Sequence, residues 1–245
     1  MTILRRFSGR LRQHDWLAVA LDLTIVILGV FLGIQAANWN EARHDRAEEK
    51  RYYAQIVVDL RRDLDTLRTA HRRSLEYDQA AETVLEALEH GIPRGTDPSD
   101  FAKAIDYAGF LFIPSPSRRT YDELISTGNL RLLRDGKAKD AIAAYYEAFA
   151  ELRQWDSLLR REQGEYWSGS AGVVPRRVLQ AALINGDPKV SHAEAQDILE
   201  RARVTPRLKE MLIGMAAHQM RVRRDSIGLE RDARALIKEL QPLSL

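Results

Sequence analysis

The stretch LDLTIVILGVFLGIQAANW, residues 21–39, constrains this chain more than any other. Together with the residues just before it, it forms an apolar run from 17 to 38. Only Asp22, Thr24, Gln35 and Asn38 interrupt that run with strongly or moderately polar side chains. At helical rise such a run reaches roughly 30 Å, the thickness of a bilayer's hydrocarbon layer. Trp16 and Trp39 bracket it where interfacial aromatics belong. A cleaved leader would have a shorter apolar stretch ending in small residues. Ala36 and Ala37 imitate such an end, but Gln35 and the uninterrupted length favour a retained anchor.

Charge sets the expected orientation. Residues 1–39 carry Arg5, Arg6, Arg10 and Arg12 against only Asp15 and Asp22, whereas Glu41, Asp45, Glu48 and Glu49 mix with Arg43, Arg46, Lys50 and Arg51 beyond the run. The positive-inside rule puts the N-terminus in the cytoplasm and the remainder outside it. In a bacterium that is an inner-membrane, single-pass protein with a periplasmic domain. The expected organisation is a basic cytoplasmic tail over 1–15, a transmembrane helix over 16–39 and an extracytoplasmic helical domain over 40–245. The whole chain has a net charge of +2, and the four N-terminal arginines supply that excess. The extramembrane part is therefore balanced and offers no field for nucleic acid. With no cysteine there is neither a disulfide nor a thiolate metal site.

Asp22 is the odd residue of the run. Helical spacing places Asp22, Val26, Gly29, Gly33 and Ala37 (or Ala36) on one face, and GVFLG is a small-xxx-small pattern that lets a second helix approach. An intramembrane carboxylate costs about 2.5–3.5 kcal/mol at mid-bilayer and less near the interface. Asp22 either hydrates at the cytoplasmic edge or pairs across a helix–helix contact, with its own copy or another subunit. Its shared face with both glycines favours the contact. The expected partners are membrane lipid and a second copy or another membrane subunit.

Past the membrane, residues 40–89 contain neither proline nor glycine. Tyr53, Ile56, Leu60, Asp63, Leu67, Ala70, Ser74, Tyr77, Ala81, Val84 and Leu88 follow steps of three and four, a heptad seam that predicts one long helix stopped at Gly91. A short amphipathic helix follows before Pro114 and Pro116. Thr120 and Glu123 have capping-box spacing, Gly128 suits a left-handed helix end, and Asp135 caps a helix running to near Gly169. Shorter helices are expected over 174–183 and 192–202, the second capped by Ser191 with Glu194. Thr205-Pro206 reads as the start of a final helix whose seam runs from Leu208 to Leu240. No segment alternates with period two. The expected fold is all-α: a transmembrane helix continuing into a long helix, with an antiparallel helical bundle or coiled-coil-like domain. Asp63, Ser74, Gln219 and Ser226 are the polar residues in its seams.

LDLTIVILGVFLGIQAANWNEARHDRAEEKRYYAQIVVDLRRDL resembles an uncharacterised family of single-span bacterial envelope proteins: an acidic residue opening an apolar run, an IGIQxxNWNE-like exit, then a charged helix. RRTYDELISTGNLRLLRD followed by AIAAYYEAF resembles the same family, and together these segments cover about a third of the chain. Where this chain has Asp22, family members often carry glutamate. The resemblance implies a membrane-anchored helical protein and brings no catalytic residue.

Chemistry is sparse. Glu41 and His44 form half of a di-iron carboxylate pattern, and no second E-x-x-H completes it. H-E-x-x-H, G-x-G-x-x-G and Walker-type loops are absent from the sequence. Neither catalytic residue, metal ligand nor cofactor is expected. Arg118, Arg119 and Thr120, at a helix start, are the candidate site for an anion or a partner. Trp155, Tyr166 and Trp167 are either core or pocket lining. Two readings follow. One is a non-enzymatic, membrane-anchored scaffold or accessory subunit of the cell envelope that assembles through its transmembrane face and its long helices, whose seams close within one chain or against a second copy. The other is a periplasmic, sensor-like helical domain that binds a small anionic ligand and signals through a membrane partner.

Overall fold

The computed structural model describes residues 15–186 and 188–245. All regular structure among them is helical. The elements are α1 (Asp15–His90), α2 (Pro98–Tyr107), α3 (Arg119–Ser126), a 3-10 turn (Asn129–Leu132), α4 (Gly136–Gln154), α5 (Asp156–Gly169), α6 (Arg176–Asn185), α7 (His192–Val204), α8 (Leu208–Leu240) and a final 3-10 turn (Pro242–Ser244). The chain divides into two compact units, residues 1–51 and 52–245.

In the first unit, helix α1 carries the apolar run with every described side chain exposed, from Leu21 at 60% through Phe31 at 54%. It is long and apolar enough to cross a membrane. The Arg43 guanidinium lies 4.9 Å from the ring centre of Trp39. Apart from Asp15, the basic tail falls outside the described residues.

The second unit buries the seams that the three–four spacing marks. One apolar core joins Ile56, Leu60 and Leu67 of α1 to Leu124 of α3, Ile142 and Phe149 of α4, and Leu236 and Leu240 of α8. A second joins Val84 of α1 to Phe101 and Ile105 of α2, Tyr166 of α5, Ile198 of α7 and Leu212 of α8. Ion pairs link α1 to α8 in reverse order: Arg68 to Glu230 at 3.4 Å, Asp78 to Arg223 at 3.0 Å and Glu89 to Lys209 at 2.5 Å.

Between the cores lies a polar layer. Ser74 donates to the His71 carbonyl at 2.8 Å, and Gln219 donates to the Phe110 carbonyl at 2.8 Å. The Ser226 hydroxyl is buried with no hydrogen-bond partner among the described residues. An unpaired buried hydroxyl loses water and gains nothing. Ser226→Ala should therefore raise stability by about 1 kcal/mol in urea unfolding, whereas a comparable loss would mean that the hydroxyl has a partner.

Helix ends follow local chemistry in most places. Gly91 at φ 89° ends α1, Gly128 at φ 70° follows α3, Asp135 accepts from the amides of Lys137 and Ala138, and Ser191 with Glu194 forms a complete capping box. Four expectations are corrected. Thr120 and Glu123 form no capping box: Arg118 takes the cap position without a side-chain bond, because the Thr120 hydroxyl is drawn to Asp59. The helix from Asp135 breaks at Trp155, where the amide reaches back to Leu152 and Asp156 opens α5. Thr205 caps the end of α7, and Arg207 at φ 60° precedes Leu208, so Thr205-Pro206 forms a turn between helices. Helix α2 ends at Tyr107, well before Pro114, because the chain must turn at Gly109 against two aromatic rings.

Candidate functional site

The segment proposed to hold an anion is held by the protein itself. Asp59 and Asp63 lie one turn apart on α1, both buried, at 3% and 0% exposure. The Asp59 carboxylate accepts from the Thr120 hydroxyl at 2.5 Å and the Thr120 amide at 3.3 Å. Asp63 accepts from the Ser117 amide at 2.6 Å and the Tyr145 hydroxyl at 3.0 Å. The Tyr146 hydroxyl donates to the Ser117 carbonyl at 3.1 Å. At the other end of α3, Tyr52 donates to Glu123 at 3.1 Å and accepts from Asn129 at 2.9 Å. Helix α1 thus grips α3 at both ends.

Two carboxylates aimed at the start of α3 supply the negative charge its free amides favour. Arg118 pairs with Asp122 at 3.1 Å and lies over the rings of Tyr121 and Tyr146. Those rings stack at 4.5 Å. Arg119 is exposed. The three residues are therefore together, but the Thr120 amide and hydroxyl are occupied internally. Burial pushes the Asp63 carboxyl above its usual range, against the lowering pull of its Ser117 and Tyr145 hydrogen bonds. Burial and the Asp63 charge push the Tyr145 hydroxyl up as well, keeping it a neutral donor.

Asp22, Val26, Gly29, Gly33 and Ala37 are all exposed. A Cβ added at Gly29 or Gly33 would meet nothing within 4 Å. Their face is open to a second helix. Glu41 and His44 gain no further ligand: among the described residues no group of three or more His, Asp or Glu could hold a metal ion.

The three aromatic candidates separate. Tyr166 is core, its hydroxyl donating to the Ile105 carbonyl at 2.5 Å. Trp155 lines an open cleft of about 410 Å³ with the Arg221 guanidinium 4.0 Å from its ring centre. Trp167 lines a pocket of about 440 Å³ with Ile105, Phe110, Val174 and Leu179, bordered by Asp106, Ser170 and Arg176. The indole meets Phe110 edge-on at 5.6 Å. Gln163 ties the wall by donating to the Gly109 carbonyl at 2.9 Å. Desolvation alone moves the Asp106 carboxyl, raising it from the usual range. Sequence reading missed Asp59, the His218–Glu162 pair between α8 and α5, and the pocket residues Asp106 and Arg176.

No protein-family model matches the chain, and neither a curated protein nor a solved structure matches it.

Proposed function

We propose that this chain is a non-enzymatic, membrane-anchored helical scaffold or accessory subunit of the bacterial cell envelope. In this reading residues 16–39 span the inner membrane, and the extracytoplasmic helices form an antiparallel bundle. The exposed apolar length of α1 is the observation that carries it. The seam residues Ile56, Leu60, Leu212 and Leu236 are buried by the chain's own helices. That leaves the Asp22–Ala37 face as the surface for assembly in the membrane.

Gly29→Leu fills the small-residue groove and Asp22→Leu removes the carboxylate. Either change is expected to weaken association roughly tenfold, read as a shift toward monomer by native mass spectrometry of the full-length protein in mild detergent. An unchanged oligomer distribution in both variants would remove the assembly role.

For the second reading, a ligand-binding extracytoplasmic domain, the anion site at Arg118, Arg119 and Thr120 has less support, since Asp59 already takes the Thr120 amide and hydroxyl. It keeps support from the aromatic pocket beside Trp167.

A further inference from the structure

The pocket beside Trp167 combines features that a structural cavity does not need. Its lining is mainly apolar and aromatic, with Ile105, Phe110, Trp167 and Leu179. Its volume, about 440 Å³, lies within the usual range for small-molecule sites. Two opposite charges also line it, from different elements: Asp106 from the last turn of α2 and Arg176 from the first residue of α6.

These charges do not satisfy each other. Among the described residues, no hydrogen bond or ion pair within 4.0 Å engages either side chain, and the Asp106 carboxylate is half-buried. A partly desolvated carboxylate without a donor is costly, and the neighbouring aromatic faces add attraction for a cation. Arg176 sits at the start of a helix that has no side-chain cap, so its guanidinium and the first-turn amides both favour an anion. A simple amine would answer the half-buried Asp106 and gain nothing from the exposed Arg176, whereas a simple acid would meet Arg176 and leave Asp106 without a donor.

We infer that the pocket binds a free amino acid with a large apolar side chain, its ammonium on Asp106, its carboxylate on Arg176 and its side chain against the Phe110 and Trp167 rings. This inference rests on the second reading above, that the extramembrane domain binds a ligand. The occupant is a zwitterion because an amine or an acid meets one of the two charges, and a zwitterion meets both with one apolar body. Gly109 keeps the pocket wall close: a Cβ there would lie 2.5 Å from the Trp167 indole nitrogen.

Titration calorimetry on the full-length protein in mild detergent tests this with three probes: L-phenylalanine, phenethylamine and 3-phenylpropionate. L-phenylalanine is expected to bind saturably, to raise Tm by mass action, and to weaken on the order of tenfold or more in Asp106→Asn and in Arg176→Gln. Phenethylamine should respond to Asp106→Asn alone and 3-phenylpropionate to Arg176→Gln alone. Should the amine or the acid bind as tightly as the amino acid, the zwitterion class is overturned while the ligand-binding reading stands. Should binding ignore both substitutions, the pocket assignment falls while the ligand-binding reading stands; should none of the three bind saturably, the pocket assignment and its support for that reading fall together. Arg176 is exposed and Asp106→Asn is isosteric, and circular dichroism of the same samples verifies their fold.

Discussion

Replacing Asp63 by alanine is expected to lower the unfolding free energy by about 3 kcal/mol, because it strands the Ser117 amide and the Tyr145 hydroxyl in a buried site. Asp63→Asn is the informative contrast. An amide oxygen can still accept from Ser117 and its nitrogen can donate to the Tyr145 hydroxyl, so this variant should stay within about 1 kcal/mol of the parent. Their pH dependence should also differ. Asp63 has a folded-state pKa above its ordinary value of 3.8, so in the window just above that value the folded chain holds a proton that the unfolded chain has released. Stability from this group therefore falls as pH rises through the window and is recovered on acidification. The parent should gain on Asp63→Asn as pH drops from 7 toward about 4, read from paired urea titrations. A constant difference across that range would contradict the raised Asp63 pKa, and an alanine variant as stable as the asparagine one would mean that Asp63 does not hold the start of α3.

The second large effect belongs to Gly109→Ala. A Cβ at this position would lie 2.5 Å from the Trp167 indole nitrogen and from a Tyr166 ring carbon. The Tyr166 ring cannot yield freely, being fully buried and bonded to the Ile105 carbonyl, while the partly exposed Trp167 must give up its edge-on packing against Phe110 to move. Overpacking of this kind costs about 2–3 kcal/mol. Thermal unfolding should show a Tm lowered by several degrees, with a changed tryptophan emission from the displaced indole. Gly169→Ala is the control. Its added Cβ would meet only the end of the Met211 side chain, a flexible group that can swing away, so its loss should be under about 1 kcal/mol. Equal losses in the two variants would contradict the tight approach at Gly109.

Much of the fold was legible because helical periodicity is a local property. The seam positions Ile56, Leu60, Leu67, Val84, Leu212 and Leu236 are all buried, and so are the four polar interruptions Asp63, Ser74, Gln219 and Ser226. The caps at Asp135 and Ser191 were readable for the same reason, since a cap needs only the next three residues. Thr120 failed that test. Its capping-box spacing with Glu123 is a local pattern, but its hydroxyl finds a stronger acceptor in Asp59, 61 residues upstream. The segments around Asp59, Thr120 and Tyr146 are far apart in sequence and meet in one hydrogen-bonded cluster. The pocket was less legible still. Asp106, Trp167 and Arg176 come from three helices, and only their packing makes one site of them.

The central claim is that residues 16–39 anchor the chain in a membrane with the 52–245 unit outside the cytoplasm. The absence of cysteine from the sequence makes single-cysteine accessibility a clean test. Ile184→Cys, at a position 79% exposed, and Ser8→Cys, in the basic tail, would each be expressed in full-length protein in bacterial cells and treated with a membrane-impermeant maleimide. The account predicts that Ile184→Cys is labelled once the outer membrane is permeabilised, and that Ser8→Cys is labelled only after the inner membrane is broken. Labelling of Ser8→Cys first, or recovery of the protein in the soluble fraction with both positions labelled only after lysis, would contradict it.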